Sequence, residues 1–303
     1  MKSLFGLFSF CGVLSTISAL LALGGFPHLG WAQSTPQLDT IEVHSGGHGT
    51  LERAVAVGSR LDRTVREPPA SVEAITRAQL QARGDSLLLD AITRSTGMTA
   101  LGHAGNSASL SARGFTDTSA VLRLYDGTRQ YGGVGVSFPF DTWAIERIEV
   151  LRGPASVVHG DGAIGGVVNI IPKKPTRGPV RNEVQATAGS AGQRALALGS
   201  GGALNDKWSY RLDLSGDQGQ GWVERGDFRN RALSAALRWD ATPDLQWQLA
   251  HAQGRQAPAR YFGVPLIRGQ WEPALRRSNF NVMDSDIRLR DRWTELSAQW
   301  VLG

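Results

Sequence analysis

One glycine-rich stretch has the spacing of a nucleotide site. Gly160, Asp161, Gly162, Ala163, Ile164 and Gly165 fit the pattern G-x-G-x-x-G. In a dinucleotide site such glycines open a helix whose N-terminus faces a pyrophosphate. Here Gly166, Val167, Val168, Asn169, Ile170 and Ile171 follow, a β-branched run stopped by Pro172. The glycines are therefore expected in tight turns, with no phosphate cradle. His44 and His48 lie four apart, the spacing at which a helix would aim both at one metal ion. Gly46, Gly47 and Gly49 around them favour a solvated linker instead. His103 and His159 stand alone, and His159 is expected to pack. The sequence contains no Gly-x-Ser-x-Gly elbow and no zinc-protease motif, and its one cysteine is Cys11. The chain is expected to perform no covalent chemistry and to hold no metal or cofactor of its own.

Composition sets the class in which other groups must work. The chain has 303 residues and a net charge of +5, with 19% of residues charged. That is too little charge, in too even a mixture, for a disordered or nucleic-acid-dedicated chain. Residues 1–32 read as a signal peptide: Lys2, an apolar stretch over 4–29, then small residues at Gly30 and Ala32. No later run approaches the ~18 apolar residues of a membrane helix. A β-barrel stays open, because its mark is alternation.

Residues 33–62 read as a flexible segment, with one short alternating run of Asp39, Thr40, Ile41, Glu42 and Val43. Such a run suits capture as an added strand on a partner's sheet edge. Residues 63–175 read as an α/β unit. A strand over 71–75 leads to Thr76, which can cap a helix with Gln79 in a capping box. Asp85 or Ser86 is expected to open a second helix through Ile92. Short strands follow over 109–113, 121–125, 146–151 and 167–171. From residue 176 the period becomes two. Segments 181–190, 193–201, 207–217, 229–240 and 244–254 alternate apolar and polar residues. The apolar face is either a sandwich core or a lipid-facing barrel wall. Seven of the nine tryptophans lie beyond residue 176, as interfacial girdles require. A sixth segment, 287–302, changes phase near residues 293–296, which predicts a bulge or turn. Residues 255–285 are expected to form a long loop.

Residues 145–160 (IERIEVLRGPASVVHG) and 165–175 (GGVVNIIPKKP) resemble the plug domain of TonB-dependent outer-membrane receptors. Arg113-Gly114-Phe115 and Tyr125-Asp126-Gly127 resemble two further plug signatures, and residues 39–43 resemble the TonB box. Residues 261–266 and 277–284 are similar to a loop region of the siderophore-receptor branch.

The resemblance implies an α+β plug domain at 63–175 followed by the first ~6 antiparallel strands of an outer-membrane β-barrel over 176–303. Family barrels have twenty-two strands, so the chain is expected to be the N-terminal part of a receptor. It leaves no space for a signalling domain ahead of residue 39. It implies a ferric siderophore bound above the plug by Arg113, Tyr131, Gly132, Tyr261 and Phe262. Iron would arrive as a chelate. TonB and its inner-membrane energising complex would capture Asp39, Thr40, Ile41, Glu42 and Val43. Outer-membrane lipid is the other expected partner, with no nucleic acid, and the receptor is expected to act as a monomer. Glu146, Arg147, Arg152, Gly153, Pro154, Gly160, Gly165, Gly166 and Asn169 are expected to be structural, as are Lys173 and Lys174. Two alternatives remain open: a remnant or soluble plug module that transports nothing, and haem or cobalamin as ligand.

Overall fold

The computed structural model describes residues 54–55, 57, 63–64, 71–102, 108–116, 120–130 and 139–301. The expectations for residues 1–32 and 39–43, and for His44, His48, His103, Tyr131 and Gly132, lie outside them. The described elements of the first half are β1 (Ala54–Val55), β2 (Arg63–Thr64), β3 (Ser71–Thr76), α1 (Arg77–Arg83) and α2 (Leu88–Thr93). They continue with β4 (Met98–Gly102), β5 (Ala108–Ala112), β6 (Phe115–Thr116), β7 (Val121–Tyr125) and β8 (Thr128–Arg129). Then come β9 (Ile145–Arg152), α3 (Ser156–His159) and β10 (Gly166–Pro172).

The plug sheet has the order β3-β9-β10-β7-β8. β10 pairs antiparallel with β9 and parallel with β7. Parallel strands covered on both faces read as continuous apolar runs, and every residue of β10 is buried. Alternation still sorts its neighbours. Ile148, Val150, Val168 and Ile170 join Ile75, Leu80 and Ile92 on one face. Val72, Leu122, Leu151 and Val167 join Ala155 and Ala163 on the other. Each such aliphatic side chain contributes about 1.5–3 kcal/mol by leaving water.

Thr76 caps α1 as the sequence predicts, in a capping box with Gln79. The start of α2 differs. Its N-cap is Leu87, with no side-chain cap. Asp85 is instead turned inward, where its fully buried carboxylate meets Arg94 Nε at 2.6 Å. An aspartate so paired serves the core rather than the helix end.

The second half is an open six-stranded antiparallel sheet, here called the wall, in sequence order. It comprises β11 (Arg181–Ala188), β12 (Arg194–Ala203), β13 (Trp208–Gly219), β14 (Phe228–Asp240), β15 (Leu245–Ala257) and β16 (Leu289–Trp300). Chain order with antiparallel neighbours follows from short turns at 204–207 and 241–244. Along β13, Ser209, Arg211, Asp213, Ser215 and Asp217 face inward, while Trp208, Tyr210, Leu212 and Leu214 face outward. β16 runs through residues 293–296 without bulge or break. Trp293 there points inward against Tyr125 of the plug, with ring centroids 5.8 Å apart. The sequence phase changes because the inner face turns apolar where it meets the plug.

Candidate functional site

Three groups of side chains connect the plug, the wall and the loops. The first is a polar hub inside the plug. Glu149 on β9 is fully buried. Its carboxylate accepts hydrogen bonds from Val57 N–H at 3.1 Å, Asn169 Nδ2 at 3.3 Å and Arg147 Nε at 2.8 Å. Asn169 Oδ1 in turn accepts from Gly127 N–H in the β7–β8 turn. A buried carboxylate without such donors would cost several kcal/mol. His159 Nε2 lies 2.8 Å from the Val57 carbonyl oxygen. Hub and histidine together hold residue 57 against the sheet.

Arg152 braces the other end of β9. It donates to Glu73 Oε2 at 2.7 Å, to the Thr96 carbonyl at 3.0 Å and to Ser71 Oγ at 3.1 Å. The glycines beside it meet steric demands. A Cβ on Gly166 would lie 2.5 Å from the Leu151 carbonyl oxygen, and one on Gly165 would lie 2.9 Å from that of Ala112. Gly165 accepts from Gly153 N–H at 2.9 Å. Pro154 is exposed beside that turn, and Gly160 closes the single turn of α3 by donating to the Ser156 carbonyl. The G-x-G-x-x-G stretch therefore leads into β10, as the sequence predicts.

The second group is the seam between plug and wall. Lys173 directly follows β10, and its side chain is 2% exposed. Its Nζ lies 3.0 Å from Asp213 Oδ1 and 3.5 Å from Glu183 Oε2, both on inward wall positions. Arg211 pairs with the same two carboxylates, and Arg77 of α1 pairs with Glu183. Trp143 covers the cluster, its ring 4.3 Å from Lys173 Nζ and its Nε1 donating to the Leu198 carbonyl at 2.9 Å. Burial lowers the Lys173 pKa, and the Asp213 carboxylate beside it opposes that shift. Glu146 and Arg147 line the adjoining cavity of about 710 Å³ with Lys174, Glu183 and Arg211. Lys174 pairs with Asp126 at 2.8 Å.

Beside this cluster lies a cleft of about 490 Å³, lined by Arg77, Asp85, Asp141, Trp143, Ser215 and Asp217 among others. Ser215 of the wall donates to the Asp141 carboxylate of the plug. Burial pushes Asp141 up to about 6, against the opposing effect of that hydrogen bond. Across the plug, Tyr125 reaches Ser234 of β14, and burial raises its phenol pKa.

The third group holds the expected ligand contacts, and they have separate surroundings. Arg113 sits at positive φ in the β5–β6 turn, and its guanidinium lies over Gly153. Tyr261 packs edge-on against Trp222 of the neighbouring loop, with centroids 5.6 Å apart. Phe262 is 69% exposed. The loop after β15 is tied to the loop before β14. Asn279 Nδ2 donates to the Glu224 and Arg260 carbonyls at 3.0 and 3.1 Å.

Sequence reading did not single out Glu149, Asp141, Trp143, Glu183 or Asp213. For Glu183 and Asp213 a signal existed, since both occupy polar phases of alternating strands. Asp141 and Trp143 lie in an irregular segment with no period to read.

Residues 64–167 match the family described as TonB-dependent Receptor Plug Domain. The ferrioxamine B receptor of Salmonella typhimurium is 32% identical over 232 residues, covering 75% of this chain and 31% of that protein. The vitamin B12 transporter of Vibrio cholerae is 30% identical over 225 residues, covering 68% and 36%. Among solved structures, the Pseudomonas aeruginosa receptor FpvA in a pyoverdine–iron complex aligns with a TM-score of 0.75 at 22% identity. That alignment covers 82% of this chain and 34% of FpvA. The chain thus spans about a third of the length of the curated relatives it matches. Plug and wall together show that the chain belongs to the TonB-dependent receptor family.

Proposed function

We propose that the chain serves TonB-dependent uptake of a ferric siderophore across the outer membrane. The observation that carries this reading is the ion-paired seam between plug and wall, centred on Lys173 and Asp213. A plug held by polar contacts is seated, yet water can replace its partners when it moves. The ferrioxamine B receptor and the pyoverdine-bound FpvA support the ligand class. In this reading the ligand rests above the plug near Arg113, Tyr131, Gly132, Tyr261 and Phe262. TonB adds Asp39, Thr40, Ile41, Glu42 and Val43 to its own sheet as a strand and pulls. Residues 1–32 direct export and are removed.

Two measurements test it. Tryptophan fluorescence of the chain is titrated with ferric hydroxamate and ferric pyoverdine-type chelates and with cyanocobalamin. Capture by the periplasmic domain of TonB is measured for the chain and for Ile41→Pro, which removes a ladder donor. The expected result is saturable quenching by a ferric chelate, none by cyanocobalamin, and capture lost in Ile41→Pro. Quenching by cyanocobalamin alone favours the second reading, which the vitamin B12 transporter's similarity supports. Absence of both quenching and capture overturns the proposal.

A further inference from the structure

The outward face of the wall sorts its charges. The strands carry six carboxylates: Glu183, Asp213, Asp217, Asp240, Asp291 and Glu295. Every one lies on an inward position. Outward, and toward one end, stand Arg194, Arg229, Arg231, Arg255, Arg290 and Arg292, all exposed. Among the described residues none of these six side chains has a hydrogen bond or ion pair to protein.

The register makes the cluster denser than the sequence suggests. Arg231 on β14 is directly opposite Arg255 on β15, which is directly opposite Arg290 on β16. Opposed side chains on neighbouring strands stand ~5 Å apart at Cβ, and like charges so placed repel. Three guanidinium groups, always charged, thus share one row with no carboxylate on their face. The same row reaches Gly216 and then Leu196. With no side chain at Gly216, a shallow groove of about 270 Å³ opens between Arg194 and the pair Arg229 and Arg231.

The surroundings state what would neutralise the row. Below it the outward face is apolar, with Leu198, Leu214, Leu237, Leu249 and Leu296 exposed. At its far end Trp208, Trp239 and Trp247 lie in register. The arginine end carries the longer connections, 220–227 and 258–288, which in outer-membrane barrels are extracellular. An anion here is met from within the bilayer plane, with apolar chains beneath it. Guanidinium groups recognise phosphate oxygens bidentately.

We propose that this end of the outward face is a binding site for the phosphate groups of an anionic lipid of the outer leaflet, centred on Arg231, Arg255 and Arg290. This rests on the outer-membrane reading above.

The test uses the whole chain in neutral detergent micelles. It is titrated with diphosphorylated lipid A, with the dephosphorylated form and with inorganic phosphate, reading tryptophan fluorescence and lipid co-elution. The phosphorylated lipid should bind saturably, and the dephosphorylated lipid at least about tenfold more weakly. Inorganic phosphate should neither bind nor compete. The variant R231Q/R255Q/R290Q should bind roughly a hundredfold more weakly, since each arginine beside an anionic lipid is worth about a factor of five. R231K/R255K/R290K should recover most of the binding. R268Q/R276Q/R277Q, in the 258–288 loop, should bind as the parent does.

In neutral micelles without lipid, R231Q/R255Q/R290Q should melt no lower than the parent, because it relieves repulsion. Equal binding of both lipids, equal competition by inorganic phosphate, or undiminished binding by R231Q/R255Q/R290Q would each overturn the proposal. So would a lower melting temperature of that variant, which would make the row structural. Urea-resistant insertion into uncharged lipid vesicles tests the membrane reading by itself, so the two failures are distinguishable.

Discussion

Lys173 of the plug and Asp213 of the wall approach to 3.0 Å, with side chains 2% and 1% exposed. Deleting one partner leaves the other charge buried in the seated plug without its nearest counter-charge. Asp213→Ala should therefore destabilise the chain by about 3 kcal/mol. The double change Lys173→Met/Asp213→Leu should cost less than the sum of the single changes. Equilibrium urea unfolding of the parent, the three single variants and the double variant measures this. Additive losses would mean that the two groups do not act as a pair.

Asp141 predicts a pH dependence of the same seam. Its folded value of about 6 lies above the ordinary 3.8, because burial penalises the ionised form. The folded state holds this proton more tightly than the unfolded one. Stability from this group is full below about pH 4 and is lost as pH rises through about 6. Asp141→Asn removes the titration. It should exceed the parent in stability by about 3 kcal/mol at pH 7.5, with the difference shrinking toward pH 4. Urea midpoints at both pH values decide it, and a pH-independent difference would contradict the assignment.

Gly166 is required by closeness of backbone rather than by its φ. A Cβ there lies 2.5 Å from the Leu151 carbonyl oxygen, at the pair with Arg152 that opens the β9–β10 ladder. Gly166→Ala should cost about 2–3 kcal/mol. Gly178→Ala, where nothing lies within 4 Å, should stay within about 0.5 kcal/mol of the parent. Thermal melts of the two variants provide the comparison.

Glu149 predicts a local loss as well as a global one. Replacing it by Leu strands the Val57 N–H, Asn169 Nδ2 and Arg147 Nε donors that its carboxylate satisfies. Glu149→Leu should destabilise the plug by about 3 kcal/mol. The Val57 amide should lose its hydrogen-exchange protection. Retained protection would show that another group holds residue 57.

Much of this architecture was legible in the sequence. The six wall strands follow period-two alternation, because one face meets polar groups and the other does not. Thr76 and Gln79 announced α1 through a local capping rule. The signal failed where tertiary contact overrides local pattern. Asp85 has the residue type of a helix cap, yet its carboxylate serves Arg94. β16 has a broken alternation, yet it is a regular strand, because Trp293 meets Tyr125. The seam was legible only by half. Lys173 stood in a recognisable motif, while Asp213, forty residues later, became its partner through register. Nothing local to Arg231, Arg255 or Arg290 tells that they form one row.

The plug meets the wall through two different chemistries, and that difference gives the joint a direction. Along β14 to β16 it rests on Tyr125, Trp293 and Ala252, an apolar patch. Along β11 to β13 it rests on ions beside a cleft of about 490 Å³. Water substitutes for a polar contact at a net cost of about 1 kcal/mol. It offers nothing in return for apolar area, which costs about 25 cal/mol for each Å² exposed. The two sides of the joint therefore answer water differently: the ionic side can exchange its partners for water, and the aromatic side cannot.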